Sequence, residues 1–189
     1  MIIPYTTERR ADTGVTNVTL GMWLFIASEI MLFGALFSSY ALLRVSADTW
    51  PSGRQILSVP LGMTNTVMMI FVTAFAWRAR SARPVAARRL LVFSSVLALV
   101  FLGLKSVEYA HDLATGLAPS VNTFLAMYFT LTGLHALHVV AGVAANAWAI
   151  AGATRIDAAL MAGRARALSL YWVLVDVVWL IIFGLVYLS

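Results

Sequence analysis

Cysteine is absent from this 189-residue chain, which excludes disulfides, thiolate metal sites and thiol chemistry. Charge is scarce as well. Charged residues make up 11% of the sequence, against about 25% in soluble domains. Lysine occurs only at Lys105. Proline is kept out of the apolar stretches: Pro51, Pro60, Pro84 and Pro119 fall in loops or at helix starts, where a missing N–H does no harm. What abounds is apolar surface, 61% of residues with a mean hydropathy of +0.89. No soluble core of this size absorbs that much. The net charge of +5 is concentrated in the loops, a pattern of membrane orientation rather than nucleic-acid binding.

Five apolar stretches, about 18–44, 60–78, 88–110, 121–152 and 167–188, are each long enough to cross a membrane. The sequence predicts an all-α integral membrane protein with five transmembrane helices in a bundle. Residues 1–17 form an N-terminal cytoplasmic segment and 18–189 the membrane domain. The first stretch is too long for a signal-peptide core and no small-residue cleavage site follows it, so it is expected to be retained.

Orientation follows from the basic residues. Arg9, Arg10, Arg78, Arg80, Arg83, Arg88, Arg89, Arg155, Arg164 and Arg166 fall on one side, and Arg44, Arg54 and Lys105 on the other. Ten against three predicts a cytoplasmic N-terminus and an external C-terminus.

Glu29 sits near the middle of the run Leu20 to Leu43, which as a helix of about 36 Å exceeds the ~30 Å hydrocarbon core. A charge at that depth costs on the order of 2.5–3.5 kcal/mol. Glu29 is therefore paired, kept neutral, or used. Either a protonated acid with one structural hydrogen bond or a functional carboxylate meets that demand. The same helix carries a stripe of small residues, Ala27, Ser28, Gly34, Ala35, Ser38 and Ser39, expected to seal packing within the chain. Glu29 points the opposite way, beside Met22, Phe25, Leu36 and Tyr40.

On the fourth stretch Tyr128, His135, His138, Gly142 and Asn146 share a face. Two inward His invite a metal reading, but with three His in the chain the further ligands that haem, zinc or di-iron would want are missing. Two neutral His bonding to other helices are expected instead, with no metal and no cofactor. On the fifth stretch Trp172, Asp176 and Trp179 share a face, so an indole N–H is expected to donate to Asp176. Lys105, Glu108, His111 and Asp112 recur at i, i+3 and i+4 and predict an ion network at the external interface. The arginines of RARSARPVAARR (78–89) suit anionic headgroups as well as simple orientation bias.

Together these segments resemble subunit III of haem–copper terminal oxidases. GMWLFIASEIMLFGALFSSYALLR is similar to that family's first shared helix, with its membrane Glu at Glu29. VPLGMTNTVMM is similar to the family's Pro-Leu-x-Asn-Thr stretch, with Asn65 at the Asn. Glu108-Tyr109 match its Glu-Tyr, LTGLHALHVVAG its Thr-Gly-x-His-x-x-His-Val, and YWVLVDVVWLIIF its Tyr-Trp-His-Phe-Val-Asp-Val-Val-Trp. The likeness runs over about 18–189, five modest motifs in order. Val173 departs from it, standing where the family usually has His, and two helices that precede the first one in seven-helix members have no counterpart, as in five-helix bacterial members.

The resemblance implies an accessory, cofactor-free subunit of a proton-pumping oxygen reductase in a bacterial plasma membrane. Such a subunit binds phospholipid and supports proton uptake and turnover stability of subunit I. Haem and copper are expected in partner subunits: subunit I as the main contact, subunit II, a small subunit IV, and a respiratory supercomplex around them. The first-helix wording is closer to cytochrome c oxidases; quinol oxidases and nitric oxide reductase complexes are the alternatives, and a small proton-coupled transporter carrying protons on Glu29 and Asp176 ranks behind them. Glu29, His135, His138 and Asp176 become candidates for a polar site beside a proton or lipid cleft. Asn65, Tyr128, Asn146, Trp172 and Trp179 become candidates for polar helix packing.

Overall fold

The computed structural model describes residues 9–152 and 158–189. Residues 1–8 of the N-terminal segment, and Arg155, lie outside them. Five long helices carry the fold: α1 (Asn17–Ser46), α3 (Val59–Ala79), α4 (Pro84–Ala114), α5 (Thr123–Gly152) and α6 (Ala158–Ile182). A single turn, α2 (Gly53–Ile56), interrupts the first loop, and a π-helical turn, Phe183–Tyr187, extends α6. All five long helices are apolar and long enough to cross a membrane, and each falls on one of the stretches read from the sequence. α1, α3 and α4 run past their stretches at both ends and α6 at its start, while α5 stays within its own.

The ends are written locally. Thr16 caps α1, its hydroxyl accepting from the Thr19 N–H at 3.3 Å. Proline stands in the first turn of α3 and of α4, where no donor is lost. α4 closes on Gly116, whose φ of +85° lets the Leu117 N–H reach the Asp112 carbonyl at 2.8 Å and its own N–H reach Leu113 at 3.2 Å. That paired closure needs a left-handed residue.

α6 is the axis of the bundle, packing on α1, α3 and α5, while α4 packs on α3 and α5. Half of the α6 membrane window is buried, against 11% of that of α1. α1 is thus a peripheral strut. It docks through Ile26, Phe33 and Tyr40, spaced by seven, and its small-residue stripe faces outward: Ala27, Ser28, Gly34, Ala35, Ser38 and Ser39 are all exposed. The expectation that this stripe seals internal packing is wrong. Large side chains bury more apolar area per contact, and Glu29 shares their side of the helix. Two of the outward hydroxyls are satisfied at home, Ser28 donating to the Phe25 carbonyl at 2.7 Å and Ser39 to Ala35 at 2.9 Å.

The basic residues sort to two ends. Arg9, Arg80 and Arg166 line one cleft. At the opposite end Arg54 Nε donates to the Leu188 carbonyl at 3.0 Å and Ser52 to that of Ser189 at 3.0 Å, so the first loop caps the end of α6.

Candidate functional site

The polar side of α1 meets α5 at one point. His138 Nε2 lies 2.9 Å from Glu29 Oε2, and its Nδ1 lies 2.9 Å from the Leu134 carbonyl. The pair is screened but not sealed, with 15% of the His138 side chain and 12% of the Glu29 side chain exposed. Phe33 sets its edge against the imidazole at 5.2 Å. Tyr171 of α6 donates to the His138 carbonyl at 2.6 Å and stacks on Phe25 at 5.9 Å, so three helices fix the imidazole. A cleft of about 450 Å³ opens beside it, lined by Met22, Phe25, Leu137, His138, Ala141, Ala145 and Tyr171. Its wall is apolar apart from the His138 ring and the Tyr171 hydroxyl. This suits an acyl chain or a partner side chain, with a titratable group at its edge.

His135 does not join them. It is fully buried between Phe101 (5.6 Å) and Trp179 (5.1 Å), and neither ring nitrogen has a partner. The expectation that both His bond to other helices holds for His138 only. At about 100° per residue three positions turn the chain by 300°, so His138 faces α1 while His135 faces the aromatic core between α4 and α6.

The indoles also miss their predicted target. Trp172 Nε1 donates to Asn146 Oδ1 at 3.2 Å and Trp179 Nε1 to Thr66 Oγ1 at 3.0 Å. Asp176 keeps one buried carboxylate oxygen unpartnered, with the Thr73 hydroxyl beside it. The two indoles reach across to α5 and α3, while Asp176 faces Thr73 of α3. Asn146 also donates to Ser95 Oγ at 3.0 Å, tying α4, α5 and α6 together. Asn65 is buried with neither amide atom bonded.

At the far end of the bundle lies a second constellation, and it is core rather than surface. The Lys105 ammonium donates to Glu108 Oε2 at 2.9 Å, Tyr128 Oη at 3.0 Å and Tyr187 Oη at 2.5 Å. An ammonium has three protons, and all three are used. Tyr128 donates to Asp112 Oδ2 at 3.0 Å and Tyr187 to Glu108 Oε1 at 2.8 Å. Lys105, Glu108 and Asp112 are at most 5% exposed. The predicted interface network is therefore corrected: two tyrosines bury it, and His111 is exposed, lining a cleft beside Glu108 and Asp112 without joining their hydrogen bonds. Tyr187 was missed because an aromatic at a helix end reads as an interfacial belt residue. The signal available was depth, since Tyr187 and Lys105 both lie at the same end of their helices.

Among the described residues no three His, Cys, Asp or Glu side chains converge to hold a metal ion.

Comparisons with known proteins bear on the family of this five-helix bundle. The family model for cytochrome c oxidase subunit III matches residues 7–189. Cytochrome bo(3) ubiquinol oxidase subunit 3 of Pseudomonas aeruginosa is 32% identical over 182 residues, 91% of this chain and 85% of that protein. A probable quinol oxidase subunit 3 of Staphylococcus aureus is 30% identical over 97% of this chain and 94% of its own length. A heme-copper oxidase subunit I+III of Aeropyrum pernix is 32% identical over 91% of this chain, which spans 23% of that longer protein. A family match over nearly the whole length, with relatives 30–32% identical over more than nine-tenths of the chain, places it in the subunit III family of haem–copper oxidases.

Proposed function

We propose that this chain is the accessory, cofactor-free subunit III of a proton-pumping terminal oxidase, seated on subunit I in a bacterial plasma membrane with its N-terminus in the cytoplasm. The Glu29–His138 pair carries this reading. It sets a hydrogen-bonded acid and imidazole at mid-depth, beside an apolar cleft that accepts phospholipid chains, and so sets hydration and field next to the proton-uptake side of subunit I. The Aeropyrum relative, named as a fused subunit I+III, supports the pairing with subunit I. Contacts with subunit II and a small subunit IV, and membership of a supercomplex, belong to the same proposal.

The test is a Glu29→Gln oxidase purified as the intact complex. Its initial oxygen consumption stays near wild type while the number of turnovers before inactivation falls. An unchanged turnover lifetime would reduce Glu29 to a packing element.

For the electron donor, the Ser-Glu wording of the first helix favours cytochrome c. A quinol donor is the second reading, favoured by the names of the Pseudomonas and Staphylococcus relatives. Oxygen uptake by the purified complex with reduced cytochrome c, and separately with ubiquinol, decides between them.

A further inference from the structure

We propose that the cleft between the end of α3 and the start of α4 is a binding site for a phosphate group, supplied by the headgroup of an anionic phospholipid. The cleft measures about 650 Å³ and gathers Trp77, Arg78, Arg80, Ser81 and Arg89. The ion pairs among the described residues are Arg10–Asp12, Lys105–Glu108 and His138–Glu29, so no described carboxylate pairs with these three guanidinium groups. Three like charges lining one concavity repel each other unless an anion sits among them. Nor does α4 help, since it opens with no acid in its first turn and its dipole is positive there.

The arrangement is also preorganised. The Arg80 guanidinium stacks on the Trp77 ring at 3.4 Å, which restrains a side chain that would otherwise lose rotamer freedom on binding. Trp77 is 40% exposed at a helix end, the depth of the interfacial aromatic belt. The cleft therefore opens at headgroup level, with Trp77 and Leu90 offering an apolar wall to the first methylenes of an acyl chain. Orientation bias alone puts arginines on one side of a membrane. It does not require them to converge on a hollow or to be held by an indole. Arg164 supplies the contrast: it stacks on Trp148 at 3.8 Å but lines no part of this cleft.

This site is independent of the Glu29 cleft and of the proposed role there, and asks only that the chain span a membrane. The test uses the whole oxidase complex, delipidated in detergent and placed in phosphatidylcholine nanodiscs with increasing phosphatidylglycerol. Retained lipid is counted by native mass spectrometry. Wild type retains phosphatidylglycerol in preference to phosphatidylcholine. Arg80→Ala/Arg89→Ala weakens retention about 30-fold, taking each interfacial arginine at its usual contribution. Trp77→Leu weakens it less, and Arg164→Ala leaves it unchanged. Equal loss in Arg164→Ala, or no loss in Arg80→Ala/Arg89→Ala, would overturn the site. Displacement of the lipid by millimolar inorganic phosphate would reassign it to a free anion and overturn the headgroup. Should the double variant fail to assemble, equal retention of the two lipids by wild type overturns the proposal on its own.

Discussion

Glu29 of α1 and His138 of α5 are joined by one side-chain hydrogen bond, the contact through which the polar side of α1 meets α5. The Leu134 carbonyl can only accept, so His138 Nδ1, 2.9 Å away, carries a hydrogen. The contact of 2.9 Å between His138 Nε2 and Glu29 Oε2 then has two forms. Either a protonated Glu29 donates to a neutral imidazole, or an imidazolium donates to a carboxylate. Both are neutral overall, which is how an acid at mid-membrane depth escapes the cost of an isolated charge. The two forms differ by the transfer of one proton across one hydrogen bond.

Glu29→Gln and Glu29→Leu are therefore expected to separate. The Gln amide donates to Nε2 and leaves α1 docked, so stability changes by less than about 1 kcal/mol. The Leu side chain strands a largely buried ring nitrogen and costs about 1–3 kcal/mol. Thermal unfolding of the purified chain in detergent measures the difference. Equal losses would mean that the hydrogen bond does not hold α1 in place.

Lys105 makes the strongest stability prediction. Lys105→Met leaves Glu108 and two tyrosine hydroxyls buried without their donor, and breaking one side of a buried pair costs about 3–5 kcal/mol. Tyr187→Phe removes one acceptor and one donor at the same centre and is expected to cost about 1–3 kcal/mol. Unfolding in mixed micelles with increasing denaturing detergent ranks the two. A Lys105→Met chain as stable as wild type would show that the ammonium contributes nothing to the α4–α5–α6 junction.

The bundle was legible because a membrane span needs only length and apolarity, and all five helices declare both. Motif positions were legible for the same reason that they pack: Glu29, His138, Asn146 and Trp172 lie on inward faces that a 100° rotation predicts. Pairings across helices were not. Periodicity places Trp172 and Asp176 on one face but not the neighbour each meets, and that is set by side-chain length and the crossing of α5 with α6. The α1 stripe misled because small residues suit both an internal seam and a surface left for another chain, and sequence spacing does not distinguish them.

Gly142 and Gly34 test that distinction. A Cβ at position 142 would lie 2.7 Å from the Trp172 ring and 2.9 Å from Tyr171. Gly142→Ala therefore displaces the indole that bonds Asn146, at about 1–3 kcal/mol. A Cβ at position 34 meets nothing within the chain, and Gly34→Ala gains up to about 1 kcal/mol of helix propensity in the isolated chain. If the outer face of α1 docks another subunit, Gly34→Ile lowers the yield of assembled oxidase while the isolated chain stays folded. Normal assembly of Gly34→Ile would leave that face to lipid.

Orientation is open to a direct test because the chain has no cysteine, so a single introduced thiol is the sole reactive group. Ser120, in the α4–α5 connection, and Ser81, in the α3–α4 turn, are both exposed and lie at opposite ends of the bundle. With the arginine-rich end inside, Ser120→Cys reacts with a membrane-impermeant maleimide on intact cells, and Ser81→Cys reacts only after lysis. The reverse pattern would put the Arg78–Arg80–Arg89 cleft on the outer surface and the Lys105 centre on the cytoplasmic side. Glu29 lies mid-span in either case, so its depth survives an inversion. The proposed link to proton uptake does not, because uptake draws on the cytoplasm and the Met22–Phe25 side of the His138 cleft would then face outward.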